Sequence, residues 1–204
     1  MVRHKLKYGN HCLNNMREEL DRKYKVINMM ITMHSLLGFR NKTKALIGNI
    51  FFLITAIILN IFVFFDYKYL EFLKFNEINI RYIINISTLL IFLISVVFMK
   101  IDWSKKGEKH ELAVNQLSRL LNELRSILNI KDEVIFASKS ELFNELYNQT
   151  FETIPKINNR YFNKLKAKHN KKIELSKFID LHKGKSYFVI YTLFLKKTYF
   201  KKNE

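Results

Sequence analysis

Two runs of apolar residues dominate the chain. Ala45 to Phe65 reads ALIGNIFFLITAIILNIFVFF, 21 residues without a charge, and Tyr82 to Met99 reads YIINISTLLIFLISVVFM, a further 18. A helix needs about 20 apolar residues to cross about 30 Å of hydrocarbon. The first run has that length, and the second reaches it by taking in Ile78, Ile80 and Ile101 at its margins. The alternative, a pair of core helices in a soluble protein, demands a thicker protein shell than the remaining residues supply. The pattern therefore predicts transmembrane helices at 45–65 and 82–101, joined as a hairpin by a short external loop, 66–81.

On either side of the hairpin the apolar residues become periodic. Leu13, Met16, Leu20, Ile27, Met30, His34 and Leu37 follow three- and four-residue steps once Lys23 takes one position, with Tyr24 and Ile31 beside the seam. This is a helix with one apolar stripe, within an N-terminal region 1–44. After the second run, His110, Ala113, Leu117, Leu120, Leu124 and Ile127 repeat the spacing, while Glu108, Glu111, Arg119, Glu123 and Arg125 take other faces. That is a heptad-like, coiled-coil seam. Traced backwards it reaches Lys106 and Trp103, and a tryptophan here suits a membrane interface. A chain that crosses twice returns both amphipathic helices to one side, where they bury their stripes against each other or against another copy.

The stretch FMKIDWSKKGEKHELAVNQLSRLLNEL, Phe98 to Leu124, passes from apolar to lysine-rich sequence without a proline. One helix from Tyr82 to Leu128 is the favoured reading, and it would reach about 70 Å. Gly107 is its weak point, at about 1 kcal/mol relative to alanine. The alternative is a fresh helix capped by Asp102 or Ser104. Farther on, Ser138 and Glu141 have capping-box spacing ahead of Leu142, Leu146 and Phe151, with Phe143, Tyr147 and Ile154 alongside. Pro155 ends or kinks that segment, and a second helix is predicted from about Asn158 to His169. Ser186 to Leu195, SYFVIYTLFL, is too short to span as a helix. Packing against the helical bundle is preferred there over an interfacial segment or a strand. The whole predicts an all-α membrane protein, a two-helix hairpin whose long amphipathic cytoplasmic helices form a bundle, with 102–204 as the C-terminal cytoplasmic region.

Charge sets the orientation. Ten basic residues oppose three acidic ones before Ala45, 22 oppose 12 from Lys100 onward, and the hairpin between is neutral. Arg40, Lys42 and Lys44 precede the first span and Lys100, Lys105, Lys106 and Lys109 follow the second, against Lys68, Lys74 and Arg81 in the loop, where Tyr67, Tyr69 and Tyr82 suit an interface. The denser basic side is the cytoplasmic one, so both termini are expected there. The excess charge attracts anionic lipid heads. A cluster such as KLKAKHNKK also offers a weakly specific field to a nucleic acid or a phosphorylated ligand. The single cysteine, Cys12, excludes an intramolecular disulfide and points to reducing surroundings. The basic N-terminus is followed by polar sequence, unlike a signal peptide.

Within the spans, Gly48, Asn49, Ala56 and Asn60 fall near one helical face, and Asn85, Thr88 and Ser95 along another. Amides left in lipid cost several kcal/mol, so Asn49, Ala56, Asn60, Asn85, Thr88 and Ser95 are the candidates for a helix interface or a wetted pore lining. No charged residue lies in either span, which argues against a proton relay or an ion-coupled transporter. His4, His11, His34, His110, His169 and His182 are scattered, and HELAV at His110 lacks a second histidine. No phosphate loop, nucleophile elbow or working pair of carboxylates is present. The sequence therefore offers no catalytic residue, no metal site and no cofactor site, and the reading is not that of an enzyme.

The order of parts, an amphipathic basic helix, two closely spaced apolar helices and a tryptophan-led helix reading W-SKKGEKH-ELAVNQLSRLLNELR, resembles the SLATT superfamily. These are bacterial two-helix membrane effectors associated with oligonucleotide-synthesising enzymes, nucleotide-sensing modules or reverse transcriptases. The similarity runs from about Leu13 to Phe178 and rests most on Trp103, Lys106 and His110. IPKINNRYFNKLKAKHNKKIELSKF is similar to the C-terminally extended members. The resemblance implies antiviral defence at the bacterial inner membrane: an effector that oligomerises and permeabilises or disrupts the bilayer. Its trigger would be a separate sensor, nucleotidyltransferase or reverse transcriptase, or a nucleotide second messenger, since the chain contains no recognisable sensor domain. Trp103, Lys106, Gly107 and His110 form the expected signal-coupling joint. A membrane scaffold that tethers a nucleic-acid or enzyme partner without forming a pore is the alternative.

Overall fold

The computed structural model describes the backbone of residues 2–64, 77–182, 184 and 186–200, and side chains from 13 to 61 and from 82 to 196 except 84, 183 and 185. All regular structure among the described residues is helical: α1 (Val2–Phe64), α2 (Glu77–Ile101), α3 (Trp103–Leu128), α4 (Glu133–Thr153), α5 (Asn159–Leu181) and α6 (Tyr187–Phe200). They divide into two compact units, one made of Met1–Leu36 with Leu112–Glu204, the other of Leu37–Glu111. α1 and α3 each contribute to both units. Most of the expected loop, including Lys68 and Lys74, lies outside the described residues. Its last five residues belong to α2, which begins at Glu77.

The first unit is built on the two seams. Leu20 and Ile27 of α1 are buried with Ala113, Leu117, Leu120, Leu121, Leu124 and Ile127 of α3, and α4 adds Phe136 and Phe143. Burying a leucine or isoleucine completely is worth about 1.5–3 kcal/mol, so this cluster supplies the main drive for the bundle. Lys23 is tolerated in the α1 seam because its ammonium donates to Glu19 Oε1 (2.6 Å) and Asn144 Oδ1 (2.5 Å) and lies over the Tyr147 ring. The same lysine, by hydrogen bond and charge, holds the Glu19 carboxyl below its ordinary range. Arg17 ties the α3–α4 connection to α1, donating to the Ile130 carbonyl (3.3 Å) with its guanidinium over Phe136.

α4 starts earlier than the capping-box spacing suggested. Asp132 accepts the backbone N–H groups of Val134 and Ile135 (2.9 and 3.1 Å) and is the N-cap. Ser138 therefore lies inside the helix. α4 ends at Thr153, ahead of Pro155. Asn158 caps α5 by accepting the Arg160 N–H (2.9 Å), and the helix runs on to Leu181, beyond the expected end at His169. α5 meets α1 through a hydrogen bond between His169 Nδ1 and Thr32 Oγ1 (3.1 Å). The Thr32 hydroxyl gives its own proton to the Asn28 carbonyl, so the His169 nitrogen is the donor. α6 returns along α5 after a turn in which Gly184 has φ +96°, a conformation side chains rarely adopt.

The second unit contains the apolar hairpin. α1 and α2 each carry a stretch long and apolar enough to cross a membrane, and none of either 18-residue window is buried within the chain. A buried-core assignment for these helices thus finds no covering layer among the described residues.

Leu124→Ala is expected to cost the first unit about 2–5 kcal/mol, whereas Leu142→Ala, on the exposed side of α4, changes stability by less than about 0.5 kcal/mol; chemical denaturation in detergent measures both. Burial, with the Lys172 charge nearby, holds the His169 imidazole below its ordinary value of 6.5. The folded state therefore binds protons less readily than the unfolded one. This contribution is complete above about pH 6.5 and is lost as pH falls through the lower folded-state value. Melting curves across that range should show stability declining with acidification, and His169→Gln should remove part of the decline.

Candidate functional site

In the apolar hairpin, the half-buried positions among the described residues are Ala45, Gly48, Phe52, Thr55 and Leu59 on α1, and Ser87, Ile91, Ser95, Phe98 and Ile101 on α2. Their three- and four-residue steps define the faces turned toward each other. A close contact lies at Gly48. A Cβ added there would stand 1.9 Å from Phe98 Cζ, so only glycine leaves room for the ring as placed. Phe52 packs edge-on against the same ring, with centroids 5.2 Å apart. With lipid tails as apolar as the side chains, close packing of this kind is what holds membrane helices together.

The expected polar faces do not coincide with this contact. Of the six candidates, Ser95 lies on it, and its hydroxyl donates to the Phe92 carbonyl of its own helix (2.7 Å). Asn49, Ala56, Asn60, Asn85 and Thr88 are exposed on the outer surface of the hairpin. The helical-wheel grouping took in Gly48 beside the polar residues offered as a helix interface or pore lining, without singling out the glycine. Within the hairpin, the close contact is that of Phe98 against Gly48. Asn60 Nδ2 donates to the Ala56 carbonyl (2.8 Å), while the side-chain amides of Asn49 and Asn85 make no hydrogen bond among the described residues.

At the charged end of the hairpin, α2 and α3 are separate helices. The expected continuity from Tyr82 to Leu128 fails at Asp102, whose φ is +44°. Aspartate enters this left-handed region more readily than most residues because its short side chain bonds locally. Here Asp102 Oδ1 accepts the Lys105 N–H (3.0 Å) and its carbonyl accepts the Lys106 N–H (3.2 Å), forming the N-cap of α3. The Lys105 N–H, reinforced by the Lys105 and Lys106 charges, keeps the Asp102 carboxyl below its usual range.

Gly107 is neither a blemish nor the break. It is buried inside α3 where that helix approaches α1 at Gly38. A Cβ on Gly107 would come within 2.9 Å of Lys42 Cγ and 3.5 Å of the Gly38 carbonyl; one on Gly38 would stand 3.5 Å from both the Gly107 carbonyl and His110 Cβ. Two facing glycines thus set the spacing of the joint. Lys42 forms an ion pair with Glu111 across it. The Trp103 ring carries Lys44 Nζ at 4.1 Å and Lys106 Nζ at 5.1 Å from its centroid, an arrangement favoured by the negative face of the indole. Of the four residues expected at the joint, Trp103, Gly107 and His110 contribute to the packed region. The Lys106 side chain is exposed, and Gly107 occupies the seam position assigned to it. Burial holds the half-buried His110 below its ordinary value. Sequence reading missed Gly38, Lys42, Lys44 and Glu111 as parts of the joint, although a glycine on each of two neighbouring apolar stripes was a usable signal.

A groove of about 300 Å³ in the first unit is lined by residues of α3 and α4, among them Arg119, Glu123, Gln149 and Thr153. Comparison with family models, with characterised proteins and with solved structures finds no match for this chain.

Gly48→Ala should force the Phe98 ring aside and cost about 1–3 kcal/mol. In the Gly48→Ala/Phe98→Ala double variant the two penalties should be far from additive. Thermal denaturation in detergent reads the coupling, and simple additivity would contradict the contact.

Proposed function

We propose that this chain is a two-span membrane effector, with α1 and α2 crossing the bilayer through their apolar stretches and both termini in the cytoplasm. A signal received by the helical bundle would drive copies of the hairpin to assemble and make the membrane leaky. The observation that carries this reading is the uncovered apolar hairpin, whose outer surface bears the Asn49 and Asn85 amides without hydrogen bonds among the described residues. In hydrocarbon such amides seek partners, and a second copy supplies them. The link from bundle to membrane is covalent: α1 is continuous through both units, and α3 begins at the charged end of the hairpin. The resemblance to SLATT effectors adds the biological setting, antiviral defence with a separate sensing or nucleotide-synthesising partner, and it rests on the helix order with Trp103, Lys106 and His110.

One observation favours the second reading, a scaffold that makes no pore. Asn49, Asn60 and Asn85 all lie within about two turns, about 11 Å, of an end of their span, where head-group water can satisfy them, and the Asn60, Thr55 and Ser95 side chains bond to their own helices. Dye release from vesicles carrying the full-length protein, with its activating partner present, separates the readings. The effector leaks, and Asn49→Leu/Asn60→Leu/Asn85→Leu lowers the leak at least about tenfold, as expected if each lost amide contact is worth about 0.6 kcal/mol or more. Intact vesicles at high occupancy would sink the effector. The scaffold keeps its function in the leucine variant and loses it when Lys164, Lys166 and Lys168 are reversed to glutamate.

A further inference from the structure

α6 is apolar around most of its circumference, yet α5 covers only one strip of it. Ile190 and Phe194 are buried, with Phe194 against Phe178 at 5.7 Å between ring centroids. Phe188 is 75% exposed, Tyr187 63%, and Val189, Tyr191, Leu193 and Leu195 are exposed as well. A helix apolar on all sides belongs in a core or in contact with lipid. At 14 residues, about 21 Å, α6 cannot span a bilayer. Its tyrosines are of a type that collects at the head-group boundary, and phenylalanine and leucine are typical of the apolar face of a helix lying in that boundary.

Its partner helix supplies the second half of the argument. α5 carries Arg160, Lys164, Lys166, Lys168, Lys171, Lys172 and Lys177 against Glu174 and Asp180, and these lysine side chains are exposed. An apolar helix bound to a basic helix is the composition of an element that inserts shallowly into an anionic surface. The hairpin of α5 and α6 is also tethered: α5 is fixed by His169 to Thr32, on the same helix that carries the first apolar stretch. A membrane held by that stretch is present at high effective concentration.

We infer that the α5–α6 hairpin is a membrane-docking element, which lays the exposed face of α6 into the head-group boundary of an anionic bilayer while the α5 lysines pair with lipid phosphates. The inference rests on the membrane-spanning reading, with a third, peripheral contact added to the two spans.

The test uses the full-length protein in vesicles, with Cys12→Ser and a single environment-sensitive fluorophore on either Phe188→Cys or Leu93→Cys. Quenching by nitroxide placed on the lipid tails is compared in phosphatidylcholine vesicles with and without one-third phosphatidylglycerol. The fluorophore at position 93 should be quenched in both, as a span residue. The one at 188 should be quenched strongly only with the anionic lipid, and Lys166→Gln and Lys168→Gln should each lower its docked-to-free ratio roughly fivefold. A fluorophore at 188 that stays open to aqueous iodide, with position 93 quenched by lipid, overturns the docking element and leaves the spans standing. Shielding of 188 from both quenchers means that protein, such as a second copy, covers α6, and also overturns it. Equal quenching at 188 in neutral vesicles overturns the recognition of anionic lipid. Loss of lipid quenching at 93 itself marks failure of the membrane-spanning reading.

Discussion

An apolar hairpin that the described residues leave uncovered must be covered by something else, and the rest of the organisation is arranged around that constraint. Leu46, Ile47, Leu53 and Ile57 of α1 and Ile83, Leu89, Phe92 and Met99 of α2 are all more than half exposed. In water this surface would carry a prohibitive hydration penalty. In a bilayer it has no such cost, but the hydrophobic effect then no longer joins α1 to α2. The fit of Phe98 against Gly48 becomes the source of pairing, because dispersion between closely packed atoms is what remains.

The charged end of the hairpin uses a different chemistry for the same purpose. There α3 approaches α1 at two glycines, Gly38 and Gly107, and polar contacts surround the crossing: Lys42 with Glu111, and Lys44 with Lys106 at the Trp103 ring. These exposed pairs contribute little stability individually. Their value is registry, since a slip of either helix would separate the glycines and replace them with side chains. Asp102 separates α2 from α3 where apolar sequence gives way to lysines. It accepts the Lys105 and Lys106 N–H groups in the first turn of α3 itself. Beyond the joint, ordinary hydrophobic burial resumes around Leu117, Leu124 and Phe136.

Much of this was legible in the sequence because periodicity reports burial. Ala113, Leu117, Leu120, Leu124 and Ile127 were marked by spacing alone and all are buried. The extent of the two apolar runs and the stop before Pro155 were readable for similar reasons. Contacts decided by shape were less legible. Polarity pointed to Asn49 and Asn60, whereas the hairpin closes on a glycine and a phenylalanine, a pairing that only appears when the antiparallel register is known. Gly107 was read through its helix propensity, a local quantity, although its role is set by Gly38 far away in sequence. Asp102 was recognised as a possible cap, but the favoured continuous helix gave too little weight to the ability of aspartate to bond its own backbone. At Ser186–Leu195 the apolar run was expected to pack against the bundle, and only Ile190 and Phe194 do so to the point of burial.

The central claim is that the apolar hairpin crosses a bilayer twice and returns both termini to the same side. Labelling of single cysteines by a membrane-impermeant thiol reagent on intact spheroplasts tests it most directly, comparing the native Cys12 with a cysteine placed at Asn76 in a Cys12→Ser background. The account requires Asn76→Cys to react from outside, and Cys12 to react only after the membrane is opened. Reaction of both positions from the same side, or release of the protein from membranes by alkaline carbonate, would contradict it.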